Sequence, residues 1–267
     1  MGGAGVAAAA DGTRLAYWTA GAGEPVVLVH GLSGHHGLWE RQVPALAERH
    51  LVITLDVRGH GQSGKPREPW EVPTLAGDLV ALLDHLGLER AALVGLSMGG
   101  GISQTTAILY PERVRGLALL STSSSFPEST RERFRHRAEV AERDGLAPLV
   151  DSMVARWFTP EFAAAHPDAV QRERAAVLAN DPLAFATACR ANAARDWTAE
   201  LHRIACPVLV LAGAGDPGTA THSAEVFRRE LRNVEVHVID GASHLLPIEQ
   251  PERTNQLLLA FLARLPA

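Results

Sequence analysis

The sequence predicts an α/β protein with an open, parallel-paired sheet, and three observations carry that expectation. Short runs rich in β-branched residues alternate along the chain with segments of helical period. Most of these runs are continuously apolar, the pattern of strands covered on both faces. A chain of 267 residues with 46% hydrophobic content, no internal repeat and no low-complexity linker suits one core carrying one sizeable insertion.

In chain order, Val6 to Ala10 and Leu15 to Thr19 flank Asp11-Gly12, a hairpin-type turn that adds an antiparallel edge. Buried strands are expected at Pro25 to Val29, Leu51 to Leu55, Ala91 to Val94, Val114 to Leu120, Pro207 to Leu211 and Val234 to Ile239. Helical patterns lie among them near Leu38 to Arg49, Thr74 to Leu86, Gly99 to Tyr110, Ala220 to Leu231 and Pro251 to Leu265. The rhythm breaks between Ser124 and Leu201, where no run reads as a buried strand. That stretch is expected to be a helical insertion between two sheet strands. Its basic run, Arg131 to Arg137, is interrupted by Glu132 and Phe134 and reads as a solvated helix face rather than an anion site.

Twenty-five basic against 30 acidic residues give a net charge of −5, which is no electrostatic footprint for nucleic acid or an anionic membrane. No apolar run reaches the roughly 18 residues of a membrane span. Met1 to Ala10 lacks the basic and long apolar regions of a secretory signal, so the cytoplasm is the expected compartment. Cys189 and Cys206 have neither metal-ligand spacing nor a disulfide framework and read as ordinary buried thiols. Lys65 is the only lysine in an Arg- and Ala-rich chain, a bias that suggests a GC-rich bacterial genome.

The strongest local signal is Gly95-Leu96-Ser97-Met98-Gly99, directly after one expected strand and directly before a helix. That is the context of a nucleophile elbow, in which the glycines permit a turn so tight that the serine is forced out at the carboxyl end of the sheet. A serine hydroxyl needs a general base oriented by a third group. His244 follows the strand Val234 to Ile239, and Asp216 follows the strand Pro207 to Leu211, giving the chain order Ser, Asp, His. Of the competing histidines, His237 lies within a strand run, His222 in a helical pattern, and His136 and His202 in or near the insertion. Asp240 sits too near His244 to serve as the acid, and Glu128 is remote from its strand end. An oxyanion would be met by the backbone N–H of Met98 and by that of Leu32, in the loop His30-Gly31-Leu32-Ser33-Gly34. His30 reads as a structural hydrogen-bonder in that loop, with Gly31 allowing close approach to a substrate. His35 and His36 lack metal-ligand spacing, so no metal and no cofactor are expected. Asp56 to Gly64 resembles a phosphate loop only superficially and reads as a structural turn.

These residues resemble the α/β-hydrolase superfamily over nearly the whole chain. The resemblance implies a mostly parallel eight-stranded sheet, a core at 1–123 and 202–267, and a lid at 124–201. Within the superfamily the sequence looks most like the 3-oxoadipate enol-lactonases, at Gly95 to Gly100, Pro111-Glu112-Arg113-Val114, Arg156-Trp157-Phe158-Thr159-Pro160, and His244 with Glu249-Gln250-Pro251. A lactone bearing a free carboxylate would want a cation over the pocket. Arg156 beside Trp157 is the candidate, against the reading of Trp157 as lid core and Arg156 as solvated. His30 and Gly31 are weaker candidates for substrate contact.

The expected chemistry is hydrolysis of a small ester or lactone through an acyl-enzyme on Ser97. A general carboxylesterase, an acyl-homoserine-lactone-type lactonase, a cofactor-free perhydrolase, a hydroxynitrile lyase and a slow-turnover ligand receptor on the same scaffold remain open as alternatives.

Overall fold

The computed structural model describes residues 2–216 and 218–266. The N-terminal hairpin forms around Asp11, whose carboxylate accepts the Thr13 N–H at 2.9 Å. Its strands β1 (Gly3–Ala8) and β2 (Arg14–Ala20) pair antiparallel. With β3 (Glu24–Val29), β4 (His50–Leu55), β5 (Ala91–Leu96), β6 (Val114–Leu120), β7 (Val208–Gly213) and β8 (Val234–Ile239) they make one eight-stranded sheet, ordered β1-β2-β4-β3-β5-β6-β7-β8. β2 meets β4 antiparallel, and every pairing from β4 to β8 is parallel. The apolar runs are continuous because successive residues feed opposite faces. Val26, Leu28, Val94, Leu120 and Leu209 enter one core, while Val27, Val29, Leu93, Leu119 and Val210 enter the other.

Helices cover both faces: α1 (Val43–Ala47), α2 (Val72–His85) and α3 (Met98–Leu109) come before β6. The single helix expected over Leu38 to Arg49 divides into a tight turn at His36–Trp39 and the short α1. Pro44 has no N–H with which to continue a helix begun at Trp39, but it is tolerated in the first turn of a new one. Five helices follow β6: α4 (Glu128–Asp144), α5 (Ala147–Val154), α6 (Pro160–Ala165), α7 (Pro167–Leu178) and α8 (Pro182–Ala194). Each of the last four carries a proline in its first turn, so the chain restarts instead of running on. The insertion leaves and re-enters the sheet at one neck, where Ser125 bridges Asp196 and the Ser124 carbonyl accepts the Trp197 N–H at 3.1 Å. The last helices are α9 (Ala224–Glu230), α10 (Leu246–Glu249) and α11 (Pro251–Leu262). The expected helix from Ala220 becomes regular only at Ala224, after a wider helical turn at Gly218–Ser223.

The stretch from Asp56 to Gly64 is a structural turn. The buried Asp56 carboxylate accepts the N–H groups of His36 and Gln62, each at 2.7 Å. Arg58 forks between Asp78 on α2 and Asp11 in the hairpin, so two separate elements are fastened to one guanidinium. No described helix is long and apolar enough to cross a membrane.

Candidate active site

The site begins where β5 turns into α3. Ser97 occupies φ 55°, ψ −113°, a conformation an L-residue adopts only when its surroundings enforce it. The glycines around it are steric necessities. A Cβ on Gly95 would lie 2.4 Å from the Gly99 carbonyl oxygen, and one on Gly99 would lie 2.1 Å from that of Val29. The turn can therefore close only with bare backbone, and it holds the Ser97 side chain out at the carboxyl rim of the sheet.

Beside it lies the loop that follows β3. A Cβ on Gly31 would stand 3.2 Å from the Ser97 Cβ and 3.8 Å from its Oγ, which measures how closely this loop approaches the serine. His30 fixes the loop from below. It is fully buried, its Nε2 accepts the Val57 N–H at 2.9 Å, and its Nδ1–H donates to the Gly31 carbonyl at 2.8 Å. Both nitrogens are thus committed to backbone, and His30 corrects the expectation of a substrate contact: it positions the loop and does not line the cavity. Burial, reinforced by the neighbouring His60, pushes its pKa down to about 3, so the ring stays neutral as this bonding requires. The Leu32 backbone belongs to this loop, and that of Met98 opens α3 beside Ser97.

From the far end of the sheet, β7 and β8 deliver Asp216 and His244. The His244 Nδ1 meets Asp216 Oδ2 at 2.6 Å. Burial raises the Asp216 carboxyl, but the hydrogen bond and charge of His244, the Thr219 hydroxyl and the charge of Arg156 outweigh it and leave the group below the usual aspartate range. Ser97, Asp216 and His244 line one cavity of about 340 Å³. Among the described residues no direct hydrogen bond joins the serine hydroxyl to the imidazole, a contact that often tightens only as substrate binds.

The histidine loop is held by a residue whose part the sequence left unassigned. Glu249 is 6% exposed, and its carboxylate accepts the Ser243 N–H at 2.6 Å and, with its other oxygen, the N–H and hydroxyl of Thr159 at 2.7 and 3.0 Å. Nearby, the Leu245 N–H donates to the Trp157 carbonyl at 3.0 Å. The insertion and the histidine loop are therefore tied together at two points.

The opposite wall comes from the insertion. Arg156 and Trp157 line the cavity, and so do Arg133, Phe134, Arg137 and Glu173. The reading of Arg131 to Arg137 as a solvated face holds for Arg133 and Arg135, which are exposed, and is corrected for Arg131 and Arg137, which are half-buried. Arg131 fastens the neck through Phe126, Ala193 and Asp196, and Arg135 pairs with Glu128 in solvent, whereas the exposed Arg133 and the half-buried Arg137 both reach the cavity. Positions 133 and 137 are one helical turn apart, so they share the face that 131 and 135 do not. Burial, with the charges of Arg133 and Arg156, lowers the Arg137 pKa, though an arginine remains a cation. On the same wall, burial pushes the Glu173 carboxyl up to about 7. His222 and Thr219 also line the cavity. Cys189 and Cys206 are free thiols that burial pushes up to about 12, and neither belongs to this site. Among the described residues, no group of three or more His, Cys, Asp or Glu could hold a metal ion.

A parallel sheet that presents a strained serine at its rim, with a carboxylate–imidazole pair on the next loops, defines the chain as an α/β enzyme of the nucleophile-elbow class. It belongs to the family of the alpha/beta hydrolase fold, whose model matches residues 24–251. It is similar to 3-oxoadipate enol-lactonase 2 of Acinetobacter baylyi, with 32% identity over 96% of this chain and 95% of that protein. Similarity to 3-oxoadipate enol-lactonase 1 of the same organism is 34% over 88% and 87%. The crystal structure of the enol-lactonase from Burkholderia xenovorans superposes with a TM-score of 0.93 at 29% identity, covering 97% of this chain and all of that one.

Proposed function

We propose that the protein hydrolyses a small lactone or ester that carries a free carboxylate, in the manner of an enol-lactonase, in a bacterial cytoplasm. Ser97 attacks the carbonyl while His244, oriented by Asp216, takes its proton, and the N–H groups of Leu32 and Met98 hold the oxyanion. His244 then protonates the departing oxygen and activates the water that releases the acid. In a lactone the departing oxygen stays tethered to the acyl group, so water must attack before the ring recloses. The insertion, 124–201, acts as the lid.

The observation that carries the carboxylate is the cluster of Arg133, Arg137 and Arg156 on the wall facing Ser97. None of the three has a carboxylate within ion-pair distance among the described residues. Like charges gathered around one cavity repel, and an anionic substrate relieves that repulsion. Similarity to proteins named as enol-lactonases supports the same substrate class.

The test is a panel of lactones and matched esters with and without a carboxylate. Turnover selective for the anionic members, lost at least about 10³-fold in Ser97→Ala, is expected. Equal kcat/KM for neutral and anionic members would leave a general carboxylesterase. Turnover retained by Ser97→Ala would remove the nucleophile.

A further inference from the structure

Three residues other than glycine hold a positive φ among the described residues, and all are serines: Ser33 at 62°, Ser97 at 55° and Ser121 at 43°. They follow β3, β5 and β6, on the same carboxyl rim. Such conformations persist only where the surrounding structure over-determines them, and they gather at sites of function. Ser97 is accounted for by the elbow. Ser33 spends its hydroxyl on the Leu32 carbonyl at 2.5 Å, inside the loop beside the nucleophile.

Ser121 has no such account. It is 2% exposed, it lines the cavity, and its Oγ has no hydrogen-bond partner. A hydroxyl buried without a partner disfavours the fold, as does its backbone conformation. Its neighbours hold it there. The Ser121 N–H donates to the Leu211 carbonyl at 2.9 Å, the Thr122 hydroxyl donates to the Ser97 carbonyl at 2.7 Å, and the Arg195 guanidinium donates to the Ser123 carbonyl. The backbone is fastened to the nucleophile turn on one side and to β7 on the other, while the side-chain oxygen is left over.

The sheet order says on which side of the nucleophile Ser121 stands. The loop expected to bind the oxyanion follows β3, on one side of Ser97, whereas β6, β7 and β8 lie on the other and deliver Ser121, Asp216 and His244 in turn. A carbonyl oxygen directed to the β3 side leaves the departing oxygen, and the water that replaces it, on the side of β6 and His244.

We propose that Ser121 is a water-positioning residue, whose hydroxyl holds the hydrolytic water against the Ser97 acyl ester beneath His244; this rests on the acyl-enzyme reading of the site. The water oxygen bonds to the acyl carbon as His244 takes one water proton. The bond from the acyl carbon to Ser97 Oγ then breaks and that proton passes to Oγ. Ser121 gains and loses no proton and fixes only the direction of attack. Acylation, in which no water takes part, does not need it.

The experiment compares Ser121→Ala and Ser121→Gly on a short p-nitrophenyl ester, following the pre-steady-state burst by stopped flow and acid-quenched samples by intact mass. Glycine accepts the positive φ without strain and alanine does not, so the pair separates hydroxyl from backbone. Both variants are expected to keep the acylation rate, to lose about tenfold in steady-state turnover, and to accumulate the acyl adduct. Unchanged turnover without adduct overturns the proposal. So does a loss confined to the alanine variant together with a lowered Tm, and so does equal slowing of acylation and deacylation. Full turnover in Ser97→Ala, with no adduct in any variant, sinks the nucleophile reading instead and takes this inference with it.

Discussion

The two walls of the cavity are made in different ways. One is the rim of the sheet, where Ser97, Gly31, Asp216 and His244 sit on loops whose positions follow from strand ends and bare backbone. The other is the insertion, where Arg133 and Arg137 reach the cavity from α4, Arg156 from the turn after α5, and Glu173 from α7. In the proposed function the rim supplies the groups that act on any carbonyl, and the insertion the groups that sort substrates by charge. Damage to the rim should therefore fall on every substrate, and damage to the insertion on anionic ones alone.

The largest expected effect lies on the rim. In Gly99→Ala the new methyl would stand 2.1 Å from the Val29 carbonyl oxygen and 2.5 Å from that of His30, two backbone atoms that cannot swing aside. The elbow and the neighbouring loop must part, which misplaces nucleophile and oxyanion donors together. A loss of about 10³-fold in kcat on neutral and anionic esters alike is expected, on the scale of removing one oxyanion donor or more. Near-normal turnover on either class would show that the elbow does not need its bare backbone.

Arg137→Met tests the other wall. It keeps length and apolar volume and removes the more deeply set of the two α4 cations that line the cavity. Charge-assisted bonds of this kind are worth about 1.5–3 kcal/mol, so KM for a carboxylate-bearing lactone should rise by roughly ten- to a hundredfold. Turnover of a neutral p-nitrophenyl ester should stay within about twofold. A matching loss on the neutral ester would mean that Arg137 supports the fold and not the substrate.

Between the walls stands Glu249, and it should behave as neither. Glu249→Gln keeps one acceptor oxygen but replaces the other with a donor, which cannot serve both the Ser243 N–H and the Thr159 pair. The histidine loop loosens from the insertion. A fall of about tenfold in kcat with KM little changed is expected for all substrates. A change in KM confined to anionic substrates would assign Glu249 to the insertion's charge-sorting wall.

The same contrast explains what the sequence made readable. Rim residues announce themselves because their constraint is local: a Gly-x-Ser-x-Gly turn between strand and helix, or an aspartate and a histidine just past strand ends, needs only the order of elements to be placed. The parallel sheet was readable for the same reason, since Val26 to Val29 and Leu117 to Leu120 are apolar without interruption. The insertion was not. Whether Arg133 faces a cavity or water depends on the rotation of α4 against α8, which is set by packing at Ala138, Ala141, Phe185 and Cys189 and not by the basic run itself. The spacing of 133 and 137 against 131 and 135 held a signal, but choosing the pair that reaches the cavity requires the packing partner. Glu249 escaped because its tie to the insertion, through Thr159, spans 90 residues, and Ser121 because its hydroxyl has no partner.

The smallest expected effect is electrostatic and comes from Glu173. Burial pushes its carboxyl up to about 7, the Arg172 charge pulls it back and Glu40 raises it further. Below pH 7 the group is neutral, and above it the wall that carries the arginines gains a negative charge. For an anionic substrate several ångströms away, in an effective dielectric near 20 and partly screened by solvent, that charge opposes binding by about 1 kcal/mol. KM for the carboxylate-bearing substrate should therefore rise about fivefold between pH 6 and pH 8, while KM for a matched neutral ester stays level. Glu173→Gln fixes the neutral state and should flatten the rise without changing KM at pH 6. The fold has a linked response of definite sign. An acid whose pKa is raised on folding binds more protons folded than unfolded, so its contribution to stability is present at low pH and declines as pH climbs towards 7. The glutamine variant should lose that slope in a melting-temperature series as well. A KM that is level for both substrates, or that rises for both, would place the Glu173 charge out of reach of the bound substrate and leave charge selection to the arginines alone.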